Sequence, residues 1–176
     1  VQPADQLLII QNQCVVKMQY REIAIKATDE AIENKGVKET KENWSPYIKL
    51  YLESVGITFP APWCMAFVYF RLKNAATDLG EELEDFPVTG YVPNLLKWAD
   101  KHDRFVSAAT VKAGKYKPKK GDLVLFHFKE LGRVAHVGFV SDFKNINETF
   151  DVVEGNTSDG SGVNRDGDGV YLRKRR

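Results

Sequence analysis

Apolar positions along the chain change period after the first two-thirds, from helical spacing to strand alternation. From Tyr20 to Asn34 they fall at Ile23, Ala24, Ala27, Ala31 and Ile32, one face of a helix that ends at Gly36. Ser45-Pro46 opens a second helical pattern, with a hydroxyl cap and a proline at the first helical position. Ile48, Leu50, Tyr51, Leu52 and Val55 are its expected buried side, and Gly56 closes it. Phe59-Pro60-Ala61-Pro62 cannot continue a helix, because proline disfavours helical backbone in its predecessor, and predicts an extended approach. The run Met65-Ala66-Phe67-Val68-Tyr69-Phe70 then begins a buried helix that expires near Gly80. Val92 to Asp103 resumes the helical period through Leu95, Leu96, Trp98 and Ala99.

Past the basic, proline-containing link from Lys115 to Lys120, the period drops to two. Residues 121–128 and 133–140 read as strands rich in β-branched and aromatic side chains. Phe150-Asp151-Val152-Val153-Glu154 is a further strand that breaks at Gly155-Asn156-Thr157-Ser158. Gly-Asp turns between 159 and 169 lead into a last strand, after which Arg173-Lys174-Arg175-Arg176 reads as a solvated basic end. Residues 1–19 are expected to be a helical extension of a single domain covering 1–176, a length that suits one core. Helices gathered before strands predict an α+β fold, with the helices packed on an antiparallel sheet.

Pro62-Trp63-Cys64 places a thiol where the extended approach turns into the buried helix. A helix N-terminus carries roughly half a positive charge and unpaired N–H groups, which favour thiolate and can hold an oxyanion. Read alone, Cys64 is more readily a small core residue, since free cysteine is often buried. Partners lie downstream. Alternation sets Val134, His136, Gly138 and Val140 on one strand face, and the glycine beside His136 leaves room for a ligand. Glu154 and Asn156 then fall at the end of the next strand. A cysteine, a histidine and an acid or amide in this order suit acyl transfer to a thiol, with His136 as base and Glu154 or Asn156 orienting its ring. His127 lacks such a follower, and His102 sits at a charged helix end.

These residues resemble the CHAP domains, cysteine- and histidine-dependent amidohydrolase/peptidases of the papain-like superfamily. Gly36-Val37-Lys38-Glu39 with Tyr51-Leu52-Glu53-Ser54-Val55-Gly56 looks like the family's lead-in, and Pro62-Trp63-Cys64 with Phe67-Val68 like its nucleophile segment. Gly121-Asp122-Leu123-Val124 through His136-Val137-Gly138 looks like its histidine hairpin, and Val153-Glu154-Gly155-Asn156 like its orienting strand end. The resemblance spans 20–173 and departs at Met65, where a small residue is expected, and in a longer, more acidic stretch from Asp78 to Tyr91. It implies a papain-like CHAP fold and a cell-wall hydrolase that cleaves amide bonds of peptidoglycan, as endopeptidase or amidase. Cys64, His136, Glu154 and Asn156 would be its catalytic residues. Trp63, just before the thiol, either lines the substrate groove or packs the helix start. A non-catalytic wall-binding domain and a papain-like cysteine acyltransferase or small-amide hydrolase remain open beside it.

Charge and composition narrow the partners. A net charge of +1 supplies no field for nucleic acid. No apolar run is long enough for a membrane span, and Gln6-Leu7-Leu8-Ile9-Ile10 is too short for an intact signal peptide. The expected protein is a monomer acting on peptidoglycan, secreted, periplasmic or delivered to the wall, with an inhibitor or immunity protein as a candidate partner. Cys14 and Cys64 make no disulfide framework, so both are expected reduced, Cys14 as a packing residue. The Asp and Gly residues of 159–169 lack the closing glutamate of an EF-hand loop, and the histidines have no zinc spacing; no metal or other cofactor is expected.

Overall fold

A computed structural model describes residues 7–10, 18–145, 148–160, 162–163 and 166–176. Helices α1 (Met18–Glu33), α2 (Pro46–Ser54), α3 (Cys64–Asp78) and α4 (Val92–Lys101) precede most of the sheet. The strands are β1 (Leu7–Ile10), β2 (Phe105–Val106), β3 (Leu123–Phe128), β4 (Arg133–Asp142), β5 (Phe150–Thr157) and β6 (Gly169–Arg175), with the short α5 (Ala108–Lys112) after β2. They form one sheet in the order β2-β1-β3-β4-β5-β6, every neighbouring pair antiparallel. The α+β architecture with helices against an antiparallel sheet is the one the period change predicts.

Alternation divides the sheet's side chains between two cores. Leu123, Leu125, Val137, Phe139 and Val153 meet the helices in the main core. Val124, Phe126, Val140, Phe150 and Val152 form a smaller cluster of their own. Ala24, Ala27 and Ala31 are fully buried on α1, where small side chains let that helix lie close to its neighbours. Ser45 caps α2 by accepting from the Ile48 N–H at 3.3 Å, as the Ser-Pro signal predicts. Leu50, however, is 49% exposed rather than buried, because Ile48, Tyr51 and Leu52 complete the inner face of so short a helix.

Two further expectations change. Within the expected helical extension, Leu7–Ile10 is a strand: β1 pairs with both β2 and β3, joining Ile9 to Val106 and to Val124. Leu7-Leu8-Ile9-Ile10 is too short to display a period, so pairing with its neighbours decides its conformation. Cys14 lies outside the described residues. The basic end is not a solvated tail either, since β6 continues to Arg175, which is buried. Along its other edge β6 is met by the segment before α2: Gly36 N–H donates to Val170 O, Val170 N–H to Val37 O and Glu39 N–H to Asp168 O, at 3.1, 2.9 and 2.7 Å.

Asp122 ties the helical layer to the start of β3. It is fully buried and accepts from Arg21 Nη1 at 2.8 Å, Tyr116 O–H at 2.6 Å and Lys119 N–H at 2.9 Å. Removing the carboxylate strands these donors, so Asp122→Ala is expected to lower stability by about 3 kcal/mol. Denaturant unfolding checks this: the midpoint should fall while the slope stays constant. A loss below about 0.5 kcal/mol would show the cluster to be dispensable.

Candidate active site

Helix α3 cannot begin earlier than Cys64, because Pro62 holds the approach extended and Trp63 is its N-cap. The first helical hydrogen bond runs from Phe67 N–H to Trp63 O at 2.8 Å, and no side chain caps the helix. Its first-turn N–H groups therefore remain without a side-chain acceptor beside the thiol. Cys64 is 3% exposed and borders a cavity of about 440 Å³. Ile57, Phe59, Pro62 and Val92 supply much of the apolar wall, and Thr89, Tyr91, Arg133 and Ala135 complete the far side.

Strand β4 comes to the thiol through an irregularity. Phe126 pairs with His136 but His127 with Val134, so Ala135 is an extra residue on β4. A bulge bends its strand and re-aims neighbouring side chains. Here the Ala135 carbonyl lies 4.0 Å from Cys64 Sγ. His136 is fully buried beside the Phe126 ring, at 5.6 Å between centroids. Its Nε2 lies 2.7 Å from Glu154 Oε2. Nδ1 has no hydrogen-bond partner among the described residues, and Cys64 acts on the ring's charge from nearby.

Glu154 is in turn clamped by Arg175. Nε donates to Oε1 and Nη2 to Oε2, both at 2.6 Å, while Nη1 reaches the Gly162 carbonyl. The guanidinium also lies over Phe126. A planar fork matched to a carboxylate fixes the acid's orientation as well as its charge. Gly138 makes this packing feasible: a Cβ there would stand 2.7 Å from Glu154 Cγ and 2.6 Å from Val152 Cγ1. The room beside His136 is therefore filled by the glutamate, not kept for a ligand.

The charges follow from these contacts. Burial alone would lower the His136 pKa, but hydrogen bonding and charge from Cys64 and Glu154 outweigh it and push it up to about 9. Burial would raise Glu154; hydrogen bonds and charge from His136 and Arg175 hold it below the usual carboxylate range.

Cys64, His136 and Glu154 thus converge, as their order along the chain predicts. Asn156 does not join them by a hydrogen bond. It is buried in the irregular stretch between Glu154 and Thr157, with left-handed backbone at φ 55°. Neither side-chain amide atom has a partner among the described residues. The strand does not break at Gly155 but runs through this kink to Thr157.

Trp63 packs the helix start rather than lining the groove. Its ring is fully buried against Tyr51 and Phe67, and Nε1 donates to Glu39 Oε1 at 2.9 Å. It stays out of the cavity and instead sets the start of α3 on β5, where a Cβ on Gly155 would come within 2.7 Å of Cζ3. His102 is exposed beside Trp98, and His127 is half-buried on β3. A larger open groove of about 860 Å³ along α1 and α3 is lined by Glu22, Lys26, Asp29, Glu30 and Arg71, apart from all of these groups.

Sequence reasoning missed Arg175. The available signal was strand alternation, which puts Tyr171, Arg173 and Arg175 on one face, with Glu154 opposite Tyr171.

A helix-start cysteine set against histidine and glutamate on adjacent antiparallel strands is a papain-like arrangement. The CHAP domain family model matches residues 56–156, more than half of the chain, and the protein belongs to that family. The matched span contains Cys64, His136, Glu154 and Asn156 and leaves out Arg175. No curated protein and no solved structure gave a match. CHAP domains are in general amidohydrolase or peptidase domains. None of the described helices is long and apolar enough to cross a membrane.

Proposed function

We propose that this protein is a cell-wall hydrolase that cleaves an amide bond of peptidoglycan, as endopeptidase or amidase, using Cys64 as nucleophile. The line of contacts from Cys64 through His136 to Glu154 and Arg175 carries this reading. The substrate class follows from family membership. Such an enzyme acts outside the cytoplasm, secreted, periplasmic or delivered to the wall.

Chemistry proceeds by acyl transfer. His136 Nδ1 takes the thiol proton, and Sγ attacks the amide carbon; the Cys64 backbone N–H, at the head of α3, faces the oxyanion that develops. As the C–N bond breaks, His136 returns the proton to the leaving amine and a thioester remains. Water, deprotonated by the same imidazole, then attacks the thioester, and the S–C bond breaks to release a carboxylate and restore the thiol. Glu154 keeps Nε2 engaged, so Nδ1 stays directed at sulfur throughout.

Digestion of purified peptidoglycan from both Gram classes tests the reading. Soluble fragments with a new amine and a new carboxylate are expected, and mass spectrometry of the end groups identifies the bond. A stem peptide freed from the glycan marks an amidase, whereas a cut within a stem or bridge marks an endopeptidase. Folded protein with a titratable thiol that releases no fragment, or that transfers the acyl group to an added amine without forming carboxylate, would sink the hydrolase.

A further inference from the structure

The cavity beside Cys64 is largely apolar, and its lining includes one charged side chain, Arg133. Arg21, Arg173 and Arg175 each hold a carboxylate. Arg133 pairs with none among the described residues. Its guanidinium lies over the Tyr91 ring, 5.1 Å from the centroid, and Nη1 donates to the Val134 carbonyl at 3.2 Å. Stacking fixes the plane of the fork, and most of its five N–H donors are left without a protein acceptor.

Position makes the charge relevant to the substrate. Arg133 stands two residues along β4 from Ala135, whose carbonyl approaches Cys64 Sγ to 4.0 Å. At roughly 3.3 Å per residue, this sets the arginine within about two substrate residues of the reacting carbon. Phe59 and Tyr91, 63% and 49% exposed, give the same cavity an apolar and aromatic rim. Substrate bound between them would shield the guanidinium from water and strengthen any charge pair it makes.

We propose that Arg133 is a substrate-binding residue that selects amides bearing a free carboxylate within about two residues of the scissile carbonyl. The inference rests on the hydrolase reading for the reacting bond and extends it to substrate choice. In a stem peptide the carboxylate comes either from an internal acidic residue or from the C-terminal residue.

Three synthetic stem peptides separate these sources: one unmodified, one amidated at the internal acid, one amidated at the C-terminus. One of the two amidations is expected to lower wild-type kcat/KM by about ten-fold or more, and that one names the source. Arg133→Met should bring the ratio of the two rates to within about two-fold of unity, while Arg133→Lys falls between, because ammonium keeps the charge without the fork. Arg133→Gln replaces the methionine variant if the latter does not fold. Equal cleavage of all three peptides by wild type, or discrimination that survives in the neutral variant, overturns the assignment and leaves the hydrolase standing. Calorimetry with Cys64→Ala keeps the two claims apart. Carboxylate-selective binding without turnover by wild type retains Arg133 and removes the hydrolase, and the absence of both removes the two together.

Discussion

Cys64→Ser should lower turnover of peptidoglycan fragments by about three to six orders of magnitude, the range seen when a hydrolase loses its nucleophile. The fold should persist. Serine is close in size to cysteine, and the position borders a cavity, so unfolding free energy should change by about 1 kcal/mol or less. Thermal melting beside a fragment-release assay measures both quantities. Retained turnover in a folded Cys64→Ser protein would remove the thiol from the mechanism; a large stability loss with turnover intact would make Cys64 a core residue only.

The pH profile follows from the same contacts. His136 titrates near 9, so imidazolium persists through neutral pH and the alkaline limb of kcat/KM should fall near pH 9. Because this folded pKa lies above the ordinary value of 6.5, the stability it contributes is fully present below about pH 6.5 and is lost as pH rises through 9. Glu154 acts in the opposite sense. With its folded pKa lowered from 4.5, its contribution is present above that value and disappears as pH falls through the folded pKa. Stability should thus be greatest between these limbs.

Glu154→Ala is expected to cost about 3–5 kcal/mol, the loss found when one partner of a buried ion pair is removed. Both Arg175 and His136 would lose their carboxylate inside the protein, where little water reaches them. Arg175→Met in the Glu154→Ala background should recover a large part of that loss, since it removes the stranded guanidinium. Denaturant unfolding of the single and double variants completes the cycle. A single-variant loss under about 1 kcal/mol, or a double variant less stable than Glu154→Ala, contradicts the clamp.

These contacts also mark where sequence stops being informative. Helices α1 to α4 are long enough for helical spacing to show, strands β3 to β5, buried on both faces, show as runs of β-branched and aromatic residues, and Ser45-Pro46 and Pro62 punctuate the chain. Strand β2 is a pair of residues, and β1 has only four; their conformation comes from pairing with each other and, for β1, with β3, which no local pattern records. The thiol, base and acid were legible through residue type and order. Their partners were less so. Trp63 beside Cys64 reads as a groove or a packing residue until Glu39 and Gly155 are seen to enclose it. Gly138 reads as space for a ligand until Glu154 fills it. Arg175, inside four basic residues in a row, reads as solvated because a run of charge hides that every second position faces inward.

The lateness of β6 in the chain has a consequence for how the protein is made. Synthesis delivers Cys64, then His136, then Glu154, and only afterwards the strand that carries Arg175. A ribosome-bound chain that lacks β6 already holds thiol and imidazole, but its glutamate has no guanidinium to stand against and residues 36–39 have no strand to lie beside. On the proposed mechanism, activity should arrive only after translation has passed β6, and a product cut short before Arg175 should emerge unarmed.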